Sequence, residues 1–137
     1  MDKLYYSVDD EAAFHLEIIA AIEDNGLGFV KTFFTGDDFI EALRVDCPDV
    51  ALVDYNLPNS TLDNQKEKLI KRIRIECPAM PIVIISSSKD PNEISRVFNL
   101  GVKAWCWKLA DDFDEMVINI SGLTKKGFPD APYKIGW

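Results

Sequence analysis

The chain has 137 residues, which fits one domain with a core that buries about two-thirds of the unfolded chain's surface. It is 47% hydrophobic and 28% charged, an ordinary globular composition. With 15 Lys and Arg against 23 Asp and Glu the formal net charge is −8, which argues against nonspecific binding of nucleic acid or anionic lipid, since both would be repelled. No signal peptide opens the sequence and no apolar run approaches a bilayer span, so a cytoplasmic protein without membrane contact is expected. The cysteines, Cys47, Cys77 and Cys106, show no C-x-x-C spacing, and with His15 as the single histidine they make a poor zinc site. Reduced thiols in a cytoplasmic core are expected.

Short β-rich apolar runs alternate with amphipathic segments. Strands are predicted at Leu4 to Val8, Phe29 to Phe34, Val50 to Asp54, Pro81 to Ser86 and Lys103 to Trp107. The third and fourth are almost wholly apolar, as central parallel strands covered on both faces must be. Between and after them come helical faces: Phe14, Ile18 and Ile22; Phe39, Ile40 and Leu43; Leu69, Ile70 and Ile73; Ile94, Val97 and Phe98; and Phe113, Met116, Val117 and Ile120. Asn25-Gly26 and Gly101 read as left-handed caps, and Asp90-Pro91-Asn92-Glu93 as a capped start with Asp90 at the N-cap and Glu93 reaching back. A run of β-then-α units predicts an α/β fold with a parallel sheet and right-handed crossovers.

Asp9 and Asp10 follow the first strand and Asp54 ends the third. In an open parallel sheet the carboxyl ends of the strands share one edge, where ligands bind. If strands one and three are neighbours, these carboxylates converge, and they stay ionised only beside a cation. Hard oxygen donors suit magnesium, which also tolerates phosphate oxygens. A carboxylate beside such a cation is a usable nucleophile for phosphorus. Lys108, after the fifth strand, is placed to balance phosphoryl charge, and Ser86, ending the fourth, to offer a hydroxyl. Taken singly, Asp9-Asp10 reads as a turn and helix cap, Asp54 as a solvent residue and Lys108 as a snorkelling lysine. Their joint placement at strand ends is what carries the functional reading.

The sequence resembles the receiver domain of bacterial two-component response regulators. Val8-Asp9-Asp10-Glu11, Val53-Asp54-Tyr55-Asn56-Leu57-Pro58, Ile84-Ile85-Ser86-Ser87 and Gly101-Val102-Lys103-Ala104-Trp105-Cys106-Trp107-Lys108 carry the resemblance, which spans residues 3 to 122. It implies a flavodoxin-like, doubly wound five-stranded sheet of order 2-1-3-4-5 with helices on both faces. It implies phosphorylation of Asp54 by a histidine kinase, a phosphotransfer protein or a small phosphodonor. It implies magnesium held by Asp9, Asp10, Asp54 and the backbone carbonyl of Asn56. Ser86 would then shift toward the phosphoryl group, Trp105 matches the aromatic switch position and Lys108 the lysine. Asn56 and Ser88 match the positions that flank the hydrolytic water and so tune dephosphorylation. A downstream protein partner would dock on helix four, strand five and helix five; a homodimer is compatible with the sequence.

Some positions depart from the family pattern. Leu109 replaces the proline that usually follows the lysine, so a trans peptide is expected there. The stretch between Pro58 and Ile73 is longer than usual by about one helical turn. Trp105 is bulkier than the usual aromatic, a ring large enough to be held outward and not swing inward. Trp105 and Trp107 share one strand face, either under helices or as an exposed aromatic surface, with burial expected for Trp107. Lys66, Lys68, Lys71, Arg72 and Arg74 read as a solvated helix face, or otherwise as a docking stripe for an acidic partner. His15 is expected on the surface of helix one.

A stand-alone phosphoryl switch is therefore expected, with no enzymatic activity beyond its own phosphoryl transfer and dephosphorylation. The alternative is a degenerate receiver acting as a phosphorylation-independent binding module. A haloacid-dehalogenase-type phosphatase would want an acid where Asn56 stands, and a flavodoxin-like carrier would want a Ser/Thr/Gly loop where Asp9-Asp10-Glu11 stands. The receiver is expected over 1–122, and 123–137 as a non-helical tail. Pro129 and Pro132 oppose helix, yet Phe128, Tyr133, Ile135 and Trp137 make the tail too apolar for a disordered linker. It is expected to pack on the domain or on a symmetry mate.

Overall fold

Val50–Asp54 and Ile82–Ser86, apolar up to their last residue, form the centre of a parallel sheet. In the computed structural model, which describes residues 3–55, 66–109, 112–129 and 133–135, the strands are β1 (Lys3–Val8), β2 (Gly28–Phe33), β3 (Val50–Asp54), β4 (Ile82–Ser86), β5 (Ala104–Trp107) and β6 (Tyr133–Ile135). The helices are α1 (Ala12–Ile19, continued by a π-helical turn over Ala20–Asp24), α2 (Gly36–Val45), α3 (Lys66–Glu76), α4 (Pro91–Phe98) and α5 (Phe113–Lys126). The sheet is parallel throughout with order β2-β1-β3-β4-β5-β6. The expected order 2-1-3-4-5 is present, extended by one strand.

The apolar runs are continuous because alternate residues serve two cores. Val53 and Ile84 point into one cluster with Phe39, Ile40 and Ile73 of α2 and α3, while Leu52 and Ile85 point into the other with Ile18 and Met116 of α1 and α5. Burial on both faces leaves no room for a polar position inside these strands. Gly26 (φ 66°) and Gly101 (φ 86°) take the left-handed conformation expected of caps. Asp90 accepts from the Asn92 amide at 2.9 Å with Pro91 beginning α4. Glu93 does not complete a capping box: the Asp90 amide donates instead to Ser88 Oγ at 3.1 Å, and Glu93 Oε2 is buried without a hydrogen-bond partner among the described residues.

Several expectations change. The boundary at residue 122 falls inside α5, which runs on through Lys126 and ends at Gly127, so 123–126 is helix rather than tail. Beyond it, Tyr133–Ile135 pairs with β5 as a sixth strand, with Ile135 buried against the α1–α5 core. Cys47 and Cys77 are joined by a disulfide with their Cα atoms 6.0 Å apart, not held as separate thiols. One lies just after α2 and the other just after α3, and the two helices end side by side, which a 30-residue sequence separation conceals. Cys106 is free and buried, and burial pushes its thiol up. His15 is buried, not on the surface: its ring lies 4.4 Å from that of Phe34, which follows β2.

The basic face of α3 is also only partly solvated. Lys68 and Lys71 are exposed, but Arg72 pairs with Glu76 at 3.5 Å. Arg74 turns inward and donates to the carbonyls of Cys77, Pro78, Met80 and Gly101 at 2.7–3.4 Å. Its partial burial lowers its pKa, because the carbonyl partners bring no opposite charge.

Candidate functional site

The strand register assembles the site. Val8 stands opposite Val53, so Asp9 comes level with Asp54. Asp54 stands opposite Ile85, which places Ser86 one step beyond. Ser86 stands opposite Trp107, so Lys108 follows at the edge, its amide donating to the Ser86 carbonyl at 2.7 Å. Residues far apart in sequence thus meet on one rim because each strand ends where its neighbour does.

Asp9 is fully buried and Asp54 nearly so, while Asp10 is exposed, and one carboxylate oxygen from each lies within 4.8 Å of the others. Lys108 Nζ sits among the acids: 2.8 Å from Asp9 Oδ2, 3.1 Å from Glu11 Oε1 and 3.9 Å from Asp54 Oδ2. It also lies 4.8 Å from the centre of the Phe14 ring, which shields it from α1's side. Burial alone would lower the Lys108 pKa. The hydrogen bond to Asp9 and the charges of Asp54 and Asp9 outweigh burial and leave it raised, so the ammonium is firmly charged. Asp9 spends its other oxygen on the Glu11 amide at 2.8 Å, fixing its carboxylate as the chain turns toward α1. A cavity of about 420 Å³ opens over this cluster, bordered by Asp10, Asp54, Phe14, Ser87, Lys108 and Leu109.

The expected site residues fall into two groups. Asp9, Asp10, Asp54 and Lys108 converge. Ser86 is buried with its Oγ accepting the Ser88 amide at 3.0 Å, and it is Ser87 that borders the cavity. Ser88 Oγ in turn accepts from the Asp90 amide at 3.1 Å. Asn56 lies outside the described residues. Of the two positions open to Trp105, the buried one is taken: its indole is buried and donates to the Ser88 carbonyl at 2.9 Å, with the ring 5.3 Å from that of Tyr55. Trp107, expected to be buried, is only partly so and is the more accessible of the pair, with Lys89 Nζ 3.7 Å from its ring centre. Among the described residues no peptide bond is cis, the one preceding Leu109 included. Glu11 and Phe14 were missed as partners of Lys108. Glu11 stands next to the acidic pair, which was the available signal; Phe14 reads only as core.

A family model described as response regulator receiver domain matches residues 6–120. The chain belongs to the response-regulator receiver family. It is 28% identical over 110 residues to the DNA-binding transcriptional regulator NtrC of Klebsiella pneumoniae, covering 80% of this chain and 22% of NtrC. The receiver therefore spans less than a quarter of that relative. Among solved structures it resembles NtrX from Brucella abortus in complex with ATP, with TM-score 0.78 and 21% identity over 92% of this chain and 27% of NtrX. It resembles chemotaxis protein CheY4 of Vibrio cholerae as well, with TM-score 0.78 and 17% identity over 90% of this chain and 99% of CheY4. At these identities the structural likeness speaks to the fold.

Receivers in general accept phosphoryl groups, bind magnesium at an acidic pocket and interact with histidine kinases or phosphotransfer proteins. The donor set here fits that ion: hard carboxylate oxygens, mutually within 4.8 Å, at a cavity open on one side. Asp9, Asp10 and Asp54 are the residues that would hold it. No described helix is long and apolar enough to cross a membrane.

Proposed function

We propose that this receiver works as a phosphorylation switch with Asp54 as acceptor, supplied by a phosphohistidine on a kinase or phosphotransfer protein. The observation that carries this reading is the placement of Asp54 between a buried acid, an exposed acid and a charged lysine whose Nζ lies 3.9 Å from Asp54 Oδ2. In the step, an Asp54 carboxylate oxygen attacks phosphorus, the phosphorus–nitrogen bond breaks, and the histidine leaves with its electron pair and gains a proton. Lys108 Nζ accompanies the negative charge on the transferred phosphoryl oxygens. Magnesium, when bound by Asp9, Asp10 and Asp54, neutralises phosphoryl charge. The protein's share is positioning and fixed charge.

Ser86 is the hydroxyl we assign to a phosphoryl oxygen, reached by a shift of the loop after β4. Ser88 and Asn56 are assigned to the approach of the hydrolysing water. Trp105 links that loop to β5, and the partner surface is assigned to α4, β5 and α5. Because β6 occupies the outer edge of β5, a partner would read the helices rather than pair with that strand. The test is intact mass after incubation with acetyl phosphate and magnesium. The wild type gains one phosphoryl group, Asp54→Asn gains none, and Asp9→Asn or Asp10→Asn gains it more slowly. Equal labelling of Asp54→Asn would overturn the acceptor assignment. An unlabelled wild type would favour the phosphorylation-independent module.

A further inference from the structure

We propose that Cys47 and Cys77 form a reversible thiol–disulfide exchange site in which Cys47 meets the small thiol or disulfide and Cys77 resolves it. The pair lies at the edge of the sheet where β3 and β4 begin, opposite the edge that carries Asp54. Its two sulfurs face different surroundings: Cys47 is exposed, whereas Cys77 is 2% exposed and belongs to the α2–α3 core. An exchanging partner therefore reaches one sulfur only.

The surroundings suit both oxidation states. The helix ends are also joined without the disulfide, by Arg44 Nε to Glu76 Oε1 at 3.4 Å, so opening the bond leaves the cysteines facing each other. The Leu43 carbonyl oxygen lies 4.0 Å from Cys47 Sγ and 3.9 Å from Cys77 Sγ, an acceptor for either thiol once reduced.

With glutathione disulfide as oxidant the steps balance. The Cys47 thiolate attacks one glutathione sulfur, the glutathione S–S bond breaks, and one glutathione leaves as thiolate. The Cys77 thiolate then attacks Cys47 Sγ, the mixed disulfide breaks, and the second glutathione leaves. Two protein thiols are oxidised, their protons pass to the departing thiolates, and one glutathione disulfide becomes two glutathiones. Reduction runs the same steps backward, with glutathione entering at Cys47.

The experiment uses the full chain, reduced with dithiothreitol, freed of it, exposed to glutathione disulfide and quenched at intervals with an alkylating agent before peptide mass mapping. Buried Cys106 is the internal control, since its alkylation without denaturant reports unfolding. The wild type should show a transient glutathione adduct on Cys47, then the disulfide with no glutathione retained. Cys77→Ser should keep one glutathione on Cys47, and Cys47→Ser should react at least tenfold more slowly. An early wild-type adduct on Cys77, equal rates in the two variants, or two thiols that stay alkylatable after oxidation would overturn the proposal. The wild-type time course decides the matter even if a variant folds poorly.

Discussion

Asp54→Asn should make the metal-free protein more stable while removing the proposed acceptor. Three carboxylates share a site with one lysine, and the charges do not balance. With a carboxylate oxygen from each acid no more than 4.8 Å from the others, each like-charge pair repels by at least about 3.5 kcal/mol at an effective dielectric of about 20. Asp54 belongs to two such pairs, roughly 7 kcal/mol, against an attraction to Lys108 at 3.9 Å of about 4 kcal/mol. Water reduces this net repulsion of about 3 kcal/mol, because Asp10 is exposed and its charge is screened. Roughly 1–2 kcal/mol remains, and asparagine keeps the shape of the side chain. For a domain of this size that corresponds to a rise in Tm of about 3–8 °C. The assay is far-UV circular dichroism melting at neutral pH, with a chelator and then with magnesium. Magnesium should raise the wild-type Tm and raise that of Asp54→Asn much less, since one ligand is lost. A variant that melts below wild type in chelator, or gains as much from magnesium, would refute the electrostatic account.

Lys108→Met should act in the opposite direction, lowering metal-free stability by about 2–4 kcal/mol in urea unfolding, because Asp9 is left buried without its cation. The Lys108 pKa is raised in the fold, so its contribution is complete below the ordinary lysine pKa and is lost as pH rises through the higher folded value. Wild type should therefore lose stability at strongly alkaline pH in a step that Lys108→Met lacks. Arg74→Lys should cost about 2–3 kcal/mol, since an ammonium cannot reach the Gly101 carbonyl and the loop after α3 with one fork; retention of wild-type stability in urea would show those bonds to be idle. Ile135→Asp should detach β6 and speed amide hydrogen exchange across Ala104–Trp107, with Asp54 labelling unchanged; unaltered exchange would mean that the pairing adds no protection.

The fold was legible because its information is repetitive. Val50–Asp54 and Ile82–Ser86 are buried on both faces and announce themselves as unbroken apolar runs. The convergence of Asp9, Asp54 and Lys108 follows from strand ends alone, once the order of the strands is known. What stayed hidden depends on single contacts with no period. Arg74 reads as one more cation on a basic helix, yet its partners are carbonyls from loops that only the tertiary fold brings to it. The disulfide needs the ends of α2 and α3 to meet, and His15 follows Phe14 one residue off the Phe14–Ile18–Ile22 stripe, packed on Phe34. β6 is three residues long, below the length at which alternation becomes a signal, and Pro129 and Pro132 obscure the chain leading to it.

Trp105 shows how size alone leaves a position open until its polar atom is taken into account. A bulky ring fits an outward position as well as a buried one, but the indole also carries an N–H, and the Ser88 carbonyl takes it at 2.9 Å inside the fold. Turning the ring out would forfeit about 1 kcal/mol for that bond and on the order of 2–3 kcal/mol for the burial of the side chain. The same ring touches Tyr55, next to Asp54, and holds the loop that begins just after Ser86, the last residue of β4. A change at Asp54 that drew Ser86 toward it would pull on the carbonyl that anchors Trp105. The least costly response is for loop and indole to move together, with the hydrogen bond intact. In this receiver, therefore, a signal leaving the acidic rim should appear as a displacement of the β4–α4 loop and β5 as one body, not as a tryptophan swinging between buried and exposed positions.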